Sequence, residues 1–393
     1  MTNTEFIRQH LSEDVRQLAL RPVPDGVDIK WCLQQIEGWQ LARQKLPHWA
    51  SAEDLWFPPR LSMEQCSSEE TATYKRQIVE RLLPLPRERH SMIDLTGGYG
   101  VDFSYLSTAF QKATYVERQQ CLCDIARHNF PILQLNNATI VYAETQMLSS
   151  FLETQYDLIY IDPSRRDDTG RKTVAIESCT PDISQLQHKL LSQARHVLVK
   201  LSPMLDITQA LRSLDHVSEI HVVSVHGECK ELLLVLSAET REQTFYCVNL
   251  CTSDPVFSCT RQNLPVPVSY TDIPLQYLYE PNASILKANI QDSLSTQFSI
   301  QKLHPMSHLF TSNILYKDFP GRIFKIEEWS RFSKYKSGEL LKGIYQANIS
   351  IRNFPGTVAM LRKRLNLKEG GDTYLFATTL ADGTHTLLRC IKA

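Results

Sequence analysis

The chain has 393 residues, with 42 Lys and Arg against 43 Asp and Glu and 42% hydrophobic residues. That composition suits a globular chain of two or three domains at about 150 residues each. No apolar run approaches the roughly 18 residues that cross a bilayer. The opening MTNTEFIRQHLSEDVRQLAL is charged throughout, without the apolar stretch of a secretion signal, so a cytosolic protein with no membrane partner is expected. The ten cysteines form no Cys-x-x-Cys pair, and Cys247, Cys251 and Cys259 lack histidines at zinc spacing. No metal is expected, and packed thiols in a reducing compartment fit better.

In chain order, residues 1 to about 75 read as helical, with apolar positions at three-to-four spacing broken by Pro22, Pro24 and Pro47. CSSEETATYKRQIVERLL (66–83) has the form of a capped amphipathic helix, with Ser67 or Ser68 as cap and Pro84 and Pro86 beyond its end. Strands then alternate with helices: SMIDL (91–95), ATYVE (113–117), ATIVYAE (138–144), YDLIYID (156–162) and HVLVKLS (196–202). Apolar strands in βα alternation predict a parallel sheet covered on both faces. IHVVSVHG and KELLLVLS (220–237) read as a closing antiparallel pair. After about residue 240, short Pro-rich pieces mark a boundary, followed near the C-terminus by a helix (357–365) and a hairpin turning at Asp382-Gly383.

Asp94-Leu-Thr-Gly-Gly-Tyr-Gly-Val-Asp102 stands between the first of these strands and a helix. Glycines let a backbone turn sharply and approach a ligand. A dinucleotide loop would need glycine where Phe103 stands, and no Gly-Lys-Ser/Thr follows to make a Walker loop. Glu117 ends the second strand, where a carboxylate can accept from both hydroxyls of a ribose, and Glu144 ends the third, where an acid can face an adenine amine. Thr96, Gly97, Gly98 and Gly100 then resemble motif I of class I S-adenosylmethionine (SAM)-dependent methyltransferases, with Thr96 in place of the first glycine. The resemblance implies that SAM is the cofactor.

The fourth strand runs into Asp162-Pro-Ser-Arg-Arg-Asp-Asp168. This resembles the (Asp/Asn)-Pro-Pro-aromatic motif of nucleobase N-methyltransferases, with Asp162 and Pro163 matching and Ser164 and Arg165 replacing the second proline and the aromatic. Arg165 would stack on a base or pair with a phosphate, and Arg166, Arg171 and Lys172 would add phosphate contacts. The alternative is a loop whose arginines pair with Asp167, Asp168 or Glu177. Carbon methylation of pyrimidines needs a cysteine nucleophile. Val199-Lys-Leu-Ser-Pro-Met204 offers none and Cys179 lies too early, so methyl transfer to a nitrogen oriented by Asp162 is expected.

From Arg322 to Lys368, eleven Lys or Arg face three acids, a local charge of +8 that leaves −9 on the rest. A positive segment on an acidic body suits a polyanion partner, the alternative being a solvated helix face. Phe332, Tyr335, Tyr345 and Phe354 are interleaved there, each more readily a core residue than a surface one.

The whole chain is similar to bacterial class I methyltransferases that carry a small ferredoxin-like piece and a THUMP-like domain. QCSSEETATYK (65–75), DLTGGYGVD (94–102), DPSRRD (162–167), VKLSPMLDI (199–207), YLYEPNASILKAN (277–289), FPGRIFKI (319–326) and RNFPGTVAMLRKRLNLKEGGDTYLFATTLADG (352–383) carry the likeness. The resemblance implies an α/β fold: a Rossmann-like methyltransferase sheet, an N-terminal helical region and a small α+β THUMP-like C-terminal domain. The implied segments are a helical region over 1–75, the SAM-binding domain over 76–240, a linker and ferredoxin-like piece over 241–319, and a THUMP-like RNA-binding domain over 320–393. Together these imply methylation of a nucleobase nitrogen in tRNA or rRNA, with Arg362, Lys363 and Arg364 gripping the backbone. The competing readings are a methyltransferase of protein or small molecules, and a non-catalytic RNA-binding protein.

Overall fold

A computed structural model describes residues 1–143, 154–164, 176–239 and 242–393. Glu144, Arg165, Arg166, Arg171 and Lys172 lie outside these residues. The chain divides into two compact units, Met1–Ser218 with Leu232–Arg241, and Glu219–Glu231 with Glu242–Ala393.

The first unit is built on β1 (Ser91–Asp94), β2 (Lys112–Glu117), β3 (Ala138–Tyr142), β4 (Tyr156–Ile161) and β5 (Ala194–Leu201). These pair in parallel in the order β3-β2-β1-β4-β5. β6 (Val217–Val225) and β7 (Glu228–Ser237) follow in sequence, and Leu232–Ser237 of β7 run antiparallel to β5. This is the predicted Rossmann-like α/β sheet, and the order reverses direction between β1 and β4. In open α/β sheets the ligand crevice opens beyond the strand ends at such a point.

Six helices precede β1, the longest being Ile29–Lys45 and Glu69–Leu82. Ser68, not Ser67, caps the second, its Oγ accepting from the Thr71 N–H at 3.4 Å. This region shares one core with the sheet domain: Trp49, Phe57, Met63 and Ala72 pack with Tyr99 and Val101 beside the glycine loop and with Leu122 and Ile125. The Tyr99 hydroxyl also donates to the Trp56 carbonyl at 3.1 Å. The helical region and the parallel sheet are thus one compact unit, whose shared core the sequence pattern leaves unresolved.

In the second unit β8 (Thr244–Leu250) runs parallel to the Glu219–Val225 part of β6, and β9 (Phe257–Thr260) runs antiparallel to β8. Both lie in what the sequence reads as a Pro-rich stretch; they are strands because Phe245, Cys247, Val248 and Phe257 are buried. A seven-stranded sheet follows, ordered β11-β12-β10-β13-β16-β15-β14. Its strands are β10 (Tyr277–Pro281), β11 (Gln301–Lys302), β12 (Phe310–Ser312), β13 (Gly321–Arg331), β14 (Asn348–Arg352), β15 (Tyr374–Thr379) and β16 (His385–Lys392). β15 and β16 form the expected hairpin, with Gly383 at φ 84° and the Thr384 N–H donating to Asp382 Oδ1 at 2.8 Å. Among the described residues no helix is long and apolar enough to cross a membrane.

Trp49 is 1% exposed at the centre of the shared core. Trp49→Ala is expected to lower the unfolding free energy by about 3–5 kcal/mol, read from the denaturant midpoint.

Candidate active site at the ends of β1, β2, β4 and β5

The glycine loop is held by its own backbone conformation and by groups from β2. Gly98 and Gly100 have φ of 55° and 87°, left-handed conformations that favour glycine. Gly97 is constrained by space instead: a Cβ there would overlap the Tyr115 ring. The Tyr115 hydroxyl donates to the Gly98 carbonyl, and the Gly97 N–H to the Val116 carbonyl at 2.8 Å. Glu117 accepts from the Gly98 N–H on one oxygen and from the Gln119 N–H on the other, each at 2.8 Å. Its carboxylate is thereby aimed at the turn from the end of β2.

Asp94 closes β1 at 1% exposure, accepting from the Thr96 N–H at 2.9 Å. Burial pushes its carboxyl well above the usual carboxylate range, and the nearby Asp102, Asp162 and Glu117 push the same way. Thr96 joins two strand ends, because its hydroxyl accepts from the Asp162 N–H at 2.7 Å.

Beneath the loop lies a buried chain of alternating charge. Asp102, in the first turn of the helix Val101–Ser107, takes Lys75 at 3.0 Å, the Ser67 hydroxyl at 2.8 Å and the Tyr160 hydroxyl at 2.7 Å. Lys200 of β5 reaches Asp102 at 3.5 Å and Asp162 at 2.6 Å. Burial alone would raise the Asp102 carboxyl; Lys75, Lys200 and the two hydroxyls outweigh it and hold the group below the usual range. Lys45 steadies the approach to Ser67, donating to the carbonyls of Met63 at 3.0 Å and Glu64 at 2.8 Å.

Sequence comparison, with this geometry in place, finds a ferredoxin-like domain over residues 277–320 and a THUMP domain-like region over 321–392. A crystal structure of a "putative methyltransferase" from Porphyromonas gingivalis W83 is 35% identical over 100% of this chain and 97% of its own, with a TM-score of 0.87. The chain belongs to that protein's family. An rRNA methylase from Streptococcus thermophilus is 12% identical over 42% of this chain and 93% of its own, with a TM-score of 0.32. A protein from Streptococcus mutans solved in complex with SAH is 12% identical over 42% of this chain and 95% of its own, again at 0.32. No curated protein matches the chain.

Of the residues singled out in the sequence, the structure brings Asp94, Thr96, Gly97, Gly98, Gly100, Glu117, Asp162 and Pro163 to neighbouring strand ends. Arg362, Lys363 and Arg364 lie in the other unit, on the helix Val358–Leu365. There Lys363 and Arg364 are exposed. Arg362 turns inward, donating to the Ala347 carbonyl at 3.4 Å. Arg364 covers the Phe332 ring at 4.4 Å. Tyr335 and Tyr345 are 75% and 78% exposed, whereas Phe354 is buried. Among the described residues no cluster of His, Cys, Asp or Glu is arranged to hold a metal.

Sequence reasoning passed over Ser67, Lys75, Asp102, Tyr160 and Lys200 as functional groups. A signal was present: the segments 65–75, 94–102, 162–167 and 199–207 each supply a side chain to this one chain of contacts.

Lys75 is fully buried. Lys75→Met should cost about 3–5 kcal/mol in denaturant unfolding by leaving buried Asp102 undercompensated. Because the folded-state pKa of Asp102 is depressed, its contribution is present above the ordinary value of about 4 and lost as pH falls below it. Asp102→Asn should therefore unfold more readily at neutral pH than the parent and show a shallower further loss below about pH 4.

Proposed function

We propose that this protein is a SAM-dependent methyltransferase acting on RNA, either tRNA or rRNA, in the cytosol. The observation that carries the cofactor reading is Glu117, held at the end of β2 by the N–H groups of Gly98 and Gln119. An ionised carboxylate has about four lone-pair positions, so two remain for a pair of ribose hydroxyls. Among the described residues outside its chain neighbours, the nearest atom to a side chain placed at Gly98 would be the Thr96 carbonyl oxygen at 3.8 Å, which leaves the backbone there room for close approach by a ligand. These residues fit SAM: Glu117 for the ribose, the turn at Gly97 and Gly98 for the amino-acid part, and Asp94 beneath them. SAM, when bound, supplies a methyl group on a positively charged sulfur.

The RNA reading is supported by the THUMP domain-like region and by the exposed Tyr335, Tyr345, Lys363 and Arg364 within it. Exposed aromatics stack on unpaired bases, and solvated cations meet phosphates. Asp162 stands where the acceptor is oriented in either case. The sequence motif points to a base amine as its partner, and the Lys200 ammonium lies 2.6 Å from its Oδ2.

Calorimetry should detect SAM binding, and Glu117→Ala should weaken it by about 10–100-fold, the value of one or two charged hydrogen bonds. Unchanged affinity in that variant would sink the proposed cofactor placement. Tritiated SAM should label unmodified tRNA or rRNA and not a protein extract, with Asp162→Ala abolishing the label; label in protein alone would reverse the choice of substrate. Lys363→Glu with Arg364→Glu should weaken RNA binding and reduce its salt slope by about 2, leaving SAM affinity unchanged.

A further inference from the structure

Lys200 bridges the buried Asp102 and the partly exposed Asp162. Its Nζ sits 2.6 Å from Asp162 Oδ2, and the two side chains retain 13% and 36% exposure, so the pair is the open rim of the buried chain. At the sealed end, Lys75 is 0% exposed, Ser67 and Tyr160 donate to Asp102 Oδ2, and both lysines pair with the same carboxylate. Asp162 Oδ1 takes no hydrogen bond among the described residues. The rim therefore sets a fixed positive charge and a carboxylate oxygen side by side.

A base amine presents N–H donors and is best met by acceptors alone. An ammonium beside it competes for the lone pair that must attack. A hydroxyl differs on both counts, because it carries a proton to give up and becomes a strong nucleophile only as that proton leaves. A fixed positive charge at the oxygen stabilises its developing negative charge, and an adjacent carboxylate receives the proton.

We propose that the acceptor is a hydroxyl oxygen, the ribose 2′-OH of RNA, with Lys200 stabilising the charge that develops on it and Asp162 Oδ1 taking its proton. This rests on the RNA methyltransferase reading above and replaces only the acceptor atom. The oxygen forms a bond to the methyl carbon, and the carbon–sulfur bond breaks with its electron pair going to sulfur, which ends as a neutral thioether. The O–H proton ends on Asp162. Lys75 and Asp102 are positioning residues that fix Lys200.

Alkaline hydrolysis of the tritium-labelled RNA decides the acceptor. A 2′-O-methyl group blocks cleavage of the adjoining phosphodiester, so the label should remain in dinucleotides, whereas a methylated base would run with mononucleotides. Lys200→Met should lower kcat by about 100-fold, measured on folded protein because the change also removes one partner of Asp102, while the Kd for SAM stays within about twofold. Lys200→Arg, which keeps the charge, should recover part of kcat. Where Lys200→Met does not fold, Lys200→Gln takes its place. Label in mononucleotides overturns the hydroxyl acceptor and leaves the RNA enzyme standing. Label in protein alone, or in no RNA, overturns the RNA reading and the acceptor with it. Dinucleotide label with undiminished kcat in Lys200→Met overturns the role given to Lys200.

Discussion

The first unit is organised around a carboxylate that cannot stand alone. Asp102 lies almost out of reach of water, where an uncompensated charge costs several kcal/mol. It is tolerable because Lys75, from a helix before the sheet, and Lys200, from β5, approach the same group while Ser67 and Tyr160 donate to it. Four segments far apart in sequence are drawn together by that requirement. The N-terminal helices are consequently part of the site's foundation, since removing them would strip Asp102 of Ser67 and Lys75 and expose Tyr99, Val101, Leu122 and Ile125.

The glycine loop above it is shaped by a separate constraint. Its two left-handed glycines turn the chain, and the Tyr115 ring leaves no room for a side chain at Gly97. The Tyr115 hydroxyl and the Glu117 carboxylate grip opposite sides of the Gly98 peptide, through its carbonyl and its N–H. Because β2 delivers both groups, the loop and the strand end hold one geometry.

These two constraints differ in how far the sequence reveals them. The parallel strands, the helix from Glu69, the hairpin at Asp382-Gly383 and the left-handed loop follow from apolar runs, caps and glycines, all local signals. Lys75 and Lys200 do not stand out in that way. One lysine in an amphipathic helix reads as its wet face, and one in an apolar strand as a strand end; only pairing across the fold shows that both are buried beside the same acid. The C-terminal aromatics were ambiguous for a related reason. Phe354 packs with Leu361 and Leu375 while Tyr335 and Tyr345 stay in water, and short elements give too little periodicity to sort them. β8 and β9 were hidden by neighbouring prolines, although Phe245, Val248 and Phe257 mark their buried faces.

The C-terminal charge also divides once contacts are known. Arg322 and Arg352 converge on Glu280, a buried acid of β10, so these cations are spent within the fold. The pairing links β10, in the ferredoxin-like stretch, to β13 and β14, in the THUMP-like one, and β10 is hydrogen-bonded to β13 throughout its length. Those two stretches therefore share one sheet and one ion-pair cluster. Arg362 is likewise drawn inward by the Ala347 carbonyl. The exposed cations of the segment include Lys325, Arg331, Lys336, Lys342, Lys363, Arg364 and Lys368, which lie in the same stretch as Tyr335 and Tyr345. A bare count of +8 therefore overstates the charge that is not already paired within the fold.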